Sequence, residues 1–133
     1  MADITPTPAN VIQTSGSNAI GTAGMTIVAG RMLYLDAGLL KYADATSTTK
    51  GAAVGMSLNG GATGQPITYA TSGLITLDGL AGIGSVLALS KTAASGLLMS
   101  EDEIAAGYLV LVGIANSATQ LNMAINRTGL LHA

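Results

Sequence analysis

The chain has 133 residues, a length suited to one domain that buries about two thirds of its unfolded surface. Charged residues make up 9% of it and its net charge is −2, so it offers no basic footprint for nucleic acid, and it holds no cysteine for a disulfide, a zinc site or a thiol nucleophile. With no Phe or Trp, the core must be built from Leu, Ile, Val, Met and Ala, and 18 glycines predict a chain that bends often.

Mean hydropathy is positive, at +0.53. The longest apolar run, 104–115, is nevertheless too short to span a bilayer as a helix, and Asp78 with three glycines interrupts 74–89. The first residues show neither the basic region nor the apolar core of a secretory signal, so a soluble protein is expected. A surface with so few charges needs covering, which predicts self-association or docking onto a larger body.

Residues 1–18 contain Thr5-Pro6-Thr7-Pro8, which favours an extended, polyproline-like path without helix. A frayed terminus is one reading of 1–18; Ile4, Val11 and Ile12 are apolar residues that a purely solvated tail does not need, and they make an arm that lies along a partner the sharper one. Residues 19–133 read as a single β-domain. Strands are expected at 25–28, 31–35 and 39–42, then a polar loop over 43–50 with Lys41, Asp44 and Lys50 on its solvated rim.

The hairpin that follows organises the chain. In 52–58, Ala52, Val54, Met56 and Leu58 share one face and Ala53, Gly55 and Ser57 the other; Asn59, Gly60, Gly61 and Gly64 turn the chain back into 65–69, whose Pro66 belongs at a strand start or an edge. A third strand resumes at 74–77. Residues 78–84 read as a link, 86–89 and 96–99 as strands, and Ser100-Glu101-Asp102-Glu103 as a capping box opening one short helical turn over 101–106. A strand over 108–115 has apolar residues on both faces, and 120–126 alternates cleanly, with Leu121, Met123 and Ile125 inward.

The two halves echo each other. Gly30-x-x-Leu33-x-Leu35 returns as Gly84-x-x-Leu87-x-Leu89, Gly38-Leu39-Leu40 as Gly96-Leu97-Leu98, and Val54-Gly55 as Val112-Gly113, which points to a duplication over about 30–58 and 84–117. The expected fold is all-β: a compact, Gly-rich antiparallel barrel or sandwich with one short helical turn and an extended N-terminal arm.

No residue set reads as an active site, and no catalytic, cofactor-binding or metal-binding residue is assigned. His132 is the only histidine and stands apart from other ligand types; Ser90-Lys91-Thr92 lacks the glycine a phosphate loop places before its lysine, and Gly82-x-Gly84 lacks the third glycine of a dinucleotide turn. Glu101, Asp102 and Glu103 are consecutive and diverge on a helical turn. Asn126-Arg127-Thr128 matches a glycosylation acceptor, which carries little weight without a secretory signal.

The extended arm, Ala29-Gly30-x-x-Leu33-Tyr34-Leu35-Asp36, Ala53-Val54-Gly55-Met56-Ser57-Leu58-Asn59, Gly64-Gln65-Pro66-Ile67-Thr68-Tyr69 and Val112-Gly113-Ile114-Ala115, taken in that order, resemble the small capsid decoration (cement) proteins of tailed bacteriophages. The resemblance implies a non-enzymatic, cofactor-free virion protein made in the host cytoplasm, which sits as a homotrimer on the outer capsid surface and braces adjacent major capsid protein subunits. Members of that family are sometimes labelled recombinase-like; the absence of a phosphate-binding loop gives that label no support. Ile4, Pro6, Pro8, Val11 and Ile12 are then the capsid-facing candidates, and Tyr108, Val110, Val112 and Ile114 the subunit-interface candidates, with an intramolecular core as the competing reading for the latter four. A tail or fibre β-domain remains an alternative. A carbohydrate-binding module is a weaker one, because only Tyr34, Tyr42, Tyr69 and Tyr108 could stack on a sugar.

Overall fold

The structure, a computed structural model, describes residues 3–80, 84–100 and 107–132. The capping box and helical turn expected over 101–106, and residues 81–83 of the expected link, lie outside the described residues. After a short strand β1 (Ile12–Gln13), the first half of the chain forms β2 (Asn18–Ala23), β3 (Met32–Asp36), β4 (Leu39–Tyr42), β5 (Ala53–Ser57) and β6 (Pro66–Ala70). The second half forms β7 (Gly73–Thr76), β8 (Val86–Leu89), β9 (Leu98–Ser100), β10 (Gly107–Ser117) and β11 (Gln120–His132). The protein is all-β, with β2-β4-β3-β5-β6 closed into a barrel and β1-β7-β11-β10-β8-β9 forming an open sheet.

The barrel is filled by its own side chains. Ala23, Ile27, Leu33, Leu40 and Ile67 are buried together inside it, as the narrow lumen of a five-stranded barrel requires. Its outer face is buried as well. Met32, Tyr34, Ala53, Met56 and Ala70 share a second core with Ile75, Leu87, Leu89, Val112 and Leu121 of the open sheet, so that sheet wraps the side of the barrel formed by β3, β5 and β6. Backbone bonds stitch the halves at one end, Met32 N–H to Gly96 O at 2.7 Å and Gly96 N–H to Ala43 O at 2.9 Å among them.

The two halves have one strand plan. Read from β2, the first is β2-β6-β5-β3-β4; read from β7, the second is β7-β11-β10-β8-β9. The match extends to individual bonds. Gly30 N–H donates to Ser57 O (2.9 Å) and Ser57 N–H to Arg31 O (2.9 Å), while Gly84 N–H donates to Ala115 O (2.8 Å) and Ala115 N–H to Ser85 O (2.9 Å). Leu33 opposes Gly55 and Tyr34 opposes Ala53, with Val54 bulged out of register; Leu87 opposes Gly113 and Ala88 opposes Leu111, with Val112 bulged. One difference sets the architecture. The first half closes by a parallel pairing of β2 with β4, whereas β7 pairs with β1 and Leu98 of β9 is bridged to Ile4, so residues 4–13 lie along both edges of the second sheet.

A single antiparallel ribbon ties the sheets together. Its register runs one for one from Ile12 opposite Thr76 and Gln13 opposite Ile75 to Asn18 opposite Ala70 and Thr22 opposite Pro66. Between these pairs Thr14 N–H donates to Leu74 O (2.8 Å), Leu74 N–H to Ser15 O (3.1 Å) and Thr71 N–H to Ser17 O (2.9 Å). Where the ribbon passes from one sheet to the other, Gly16 (φ +106°) and Gly73 (φ +104°) face each other in a conformation that side chains rarely adopt.

Several expectations are corrected. Met25 to Val28 is not a strand: Ile27 makes an isolated bridge to Gly61 and plugs the barrel, and the strand lies earlier, at β2. Val54 and Met56 do not share a face, because the bulge at Val54 resets the alternation, leaving Val54 toward the lumen cluster and Met56 toward the second core. The arm contains a 3-10 turn, Pro8–Asn10, with Pro8 at its first position, where the missing N–H costs nothing.

Candidate interaction surface

Residues 3–11 are docked on the body. Ser90 Oγ donates to Asp3 Oδ1 (2.6 Å) and Thr92 Oγ1 to Asp3 Oδ2 (2.7 Å). Ile4 N–H donates to Leu98 O at 2.7 Å. Thr7 gives both its N–H and its hydroxyl to the two carboxylate oxygens of Asp78, each at 2.7 Å. The Thr7 hydroxyl first, and its N–H second, hold the Asp78 carboxyl below the usual range against a smaller opposing effect of desolvation. Pro6 and Val11 lie over Gly30, where an added Cβ would come within 3.0 Å of Val11 and 3.2 Å of Pro6, so the glycine makes room for the arm.

Of the five arm candidates, Pro6 and Val11 are therefore buried within the chain and Ile4 is half-buried, while Pro8 and Ile12 (57% exposed) face outward. From Ile12 onward the segment is a strand of the body, so the arm proper ends near residue 11. Thr7 and Asp78 stand 71 residues apart, and no local pattern announces their contact.

The second surface is the outer face of the open sheet. Val86, Leu111, Gly113, Ile114, Asn122 and Asn126 line a shallow groove there of about 360 Å³, with Ile114 50% exposed. Ala88 and Met99 are buried beneath this face and Leu109 and Leu111 pack against them. Of the four interface candidates, Val110 and Val112 are buried on the inner side in the second core, Tyr108 is half-buried, and Ile114 alone stands well exposed. The bulge at Val112 accounts for the split, since it changes the face that follows it.

Of the four tyrosines, Tyr108 borders an open groove with Ser47, Thr48 and Gly51. Tyr34 is buried, Tyr69 packs on the lumen cluster, Tyr108 is half-buried and Tyr42 carries the Arg31 guanidinium over its ring at 5.3 Å. Among the described residues, no three His, Cys, Asp or Glu side chains converge as a metal site needs.

Asp44, expected on a solvated rim, is fully buried. Burial alone would raise its pKa; the Thr46 hydroxyl, the N–H groups of Ala94 and Thr46, and the positive charge of Lys50 outweigh that and bring it below the usual carboxylate value. The Ala94 bond, at 2.8 Å, pins the 43–50 loop of the first half to the second. Because the folded pKa is depressed, this stabilisation is complete above about pH 4 and is lost as pH falls through the folded value. Asp44→Asn is expected to cost about 1–3 kcal/mol at neutral pH and to flatten the dependence of stability on pH below about 4, as read by denaturant titration across pH.

No protein-family model matches the chain, and no curated protein matches it.

Proposed function

We propose that the chain is a structural virion protein that binds the outer surface of a phage head as a homo-oligomer, a trimer in the simplest case, and braces neighbouring major capsid protein subunits without enzymatic activity. The observation that carries this reading is the outer face of the open sheet, an uncharged and partly apolar groove on a body whose two halves share one core. The chain bears little net charge, so contact by shape and apolar burial suits it better than electrostatic capture. Pro8 of the arm and Ile12 of β1 together present an outward apolar edge. Each copy needs to contribute only modest contact energy, because attachment at many lattice points adds up against the pressure of a packaged genome.

Co-sedimentation with expanded, undecorated phage heads tests the reading. Saturation at a copy number that matches the symmetry axes of the shell is the expected result. A folded protein that fails to bind any such head defeats it and moves the assignment to a tail or fibre β-domain, which should form rings or shafts by itself.

A further inference from the structure

The docked arm displays a peptide seat together with its ligand. Two glycines of positive φ clear the floor: an added Cβ at Gly79 (φ +90°) would come within 3.2 Å of Ile4, and one at Gly30 (φ +90°) within 3.2 Å of Pro6. At one end the hydroxyls of Ser90 (2.6 Å) and Thr92 (2.7 Å) hold the two oxygens of the Asp3 carboxylate, and Ser90 is fully buried. In the middle Leu98 O accepts the Ile4 N–H, and at the other end the Asp78 carboxylate accepts both donors of Thr7. The seat thus reads an acid, a backbone N–H, a proline and a threonine, the pattern Asp3-Ile4-x-Pro6-Thr7.

We propose that residues 3–7 exchange between copies, each tip docking in the seat of a neighbouring copy with the turn Pro8–Asn10 as hinge. The proposal rests on the homo-oligomer in the proposed function and names the segment that joins its subunits. The tip is an addition to the repeated plan: β2 and β4 close the first half by pairing with each other, whereas the corresponding β7 and β9 take up residues that precede the repeat. Its seat contacts all reach far along the chain, to Gly30 or to positions between 78 and 98, so the arm of another copy makes the same set. Its local tie is the turn bond from Asn10 N–H to Thr7 O (2.9 Å). That turn buries none of its residues and has no side-chain cap, and Thr7 and Val11 on either side are already in extended backbone. Straightening its three residues lengthens the path by about 4 Å and re-aims the tip, which Pro6 keeps stiff enough to swing as a unit. Copies held side by side meet at high effective concentration, which favours the exchanged form without any new contact.

Crosslinking of the full chain shows whose seat each arm fills. Asp3 and Thr92 are in contact and the chain has no other thiol, so Asp3→Cys/Thr92→Cys treated with a short bismaleimide links an arm to the body that holds it. Thr5→Cys/Leu97→Cys, beside the Ile4–Leu98 bridge, repeats the reading with the Asp3 contacts intact. Exchanged arms should give chains linked to one another, about 10-fold above the collisional background of Ile20→Cys, whose site on the barrel is 72% exposed. Multi-chain product from either pair supports the exchange, and internally linked single chains from both overturn it. An arm-exchanged oligomer that fails to decorate heads leaves this proposal standing and defeats the proposed function; self-docked chains that decorate heads do the reverse.

Discussion

Gly73→Ala is expected to cost roughly 3–5 kcal/mol of stability, from two effects that fall on the same atom. At φ +104° the backbone of Gly73 sits where side chains are strained, at a cost of about 1–3 kcal/mol. The added Cβ would also lie 2.1 Å from the Ser15 carbonyl oxygen and 2.5 Å from Gly16 Cα, and both are backbone atoms that cannot swing aside. Gly16→Ala should be nearly as severe, since its Cβ would meet Ser72 O at 2.2 Å. Against a typical stability of about 5–15 kcal/mol, either change should lower the urea midpoint steeply. Gly64→Ala is the comparison: it too has positive φ (+90°) but nothing lies within 4 Å of its added Cβ, so only the smaller backbone cost is expected.

Removal of residues 1–17 should destabilise the body by about 3 kcal/mol or more, whereas removal of 1–7 should cost about 1–3 kcal/mol and leave it folded. The longer cut takes away the buried Val11 and the whole of β1, and exposes the edge of β7 along half of the ribbon. The shorter cut removes the Asp3, Ile4 and Thr7 contacts and the buried Pro6. Thermal unfolding of the two truncations measures the difference. Head co-sedimentation of the shorter one then separates stability from recognition, because a folded protein that decorates as before shows that the tip of the arm makes no shell contact.

Much of the strand content was written locally. The alternation of Leu121, Met123 and Ile125 against Asn122 and Asn126 survives as β11, and Pro66 opens β6 where its missing N–H is tolerated. The Gly-Leu echoes mark positions that are matched in three dimensions, since Gly30 and Gly84 share a positive φ and Gly55 and Gly113 each approach a neighbouring carbonyl so closely that an added Cβ would lie 2.2 Å from it. Bulges were not legible, and each one reverses the face assignment of the residues beyond it, which is how Val54 parted from Met56 and Ile114 from Val112. Asp44 was misread because a carboxylate in a polar loop is ordinarily solvated; only its donors from Thr46 and the distant Ala94 make burial tolerable. The arm was legible as extended and apolar, but its docking on its own body was not, because the contacts that hold it span most of the chain.

The ribbon that threads both sheets also fixes how the protein answers a pull. Tension applied along the two strands in opposite directions loads the ladder in shear, so the bonds from Ile12–Thr76 to Thr22–Pro66 share the force and have to yield together. Lifting the N-terminal end away from the body instead loads the Asp3, Ile4 and Thr7 contacts one after another and then the Ile12 pair, and the ladder opens like a zip. A surface that grips the body sideways would therefore meet stiff resistance, while one that peels the arm would not.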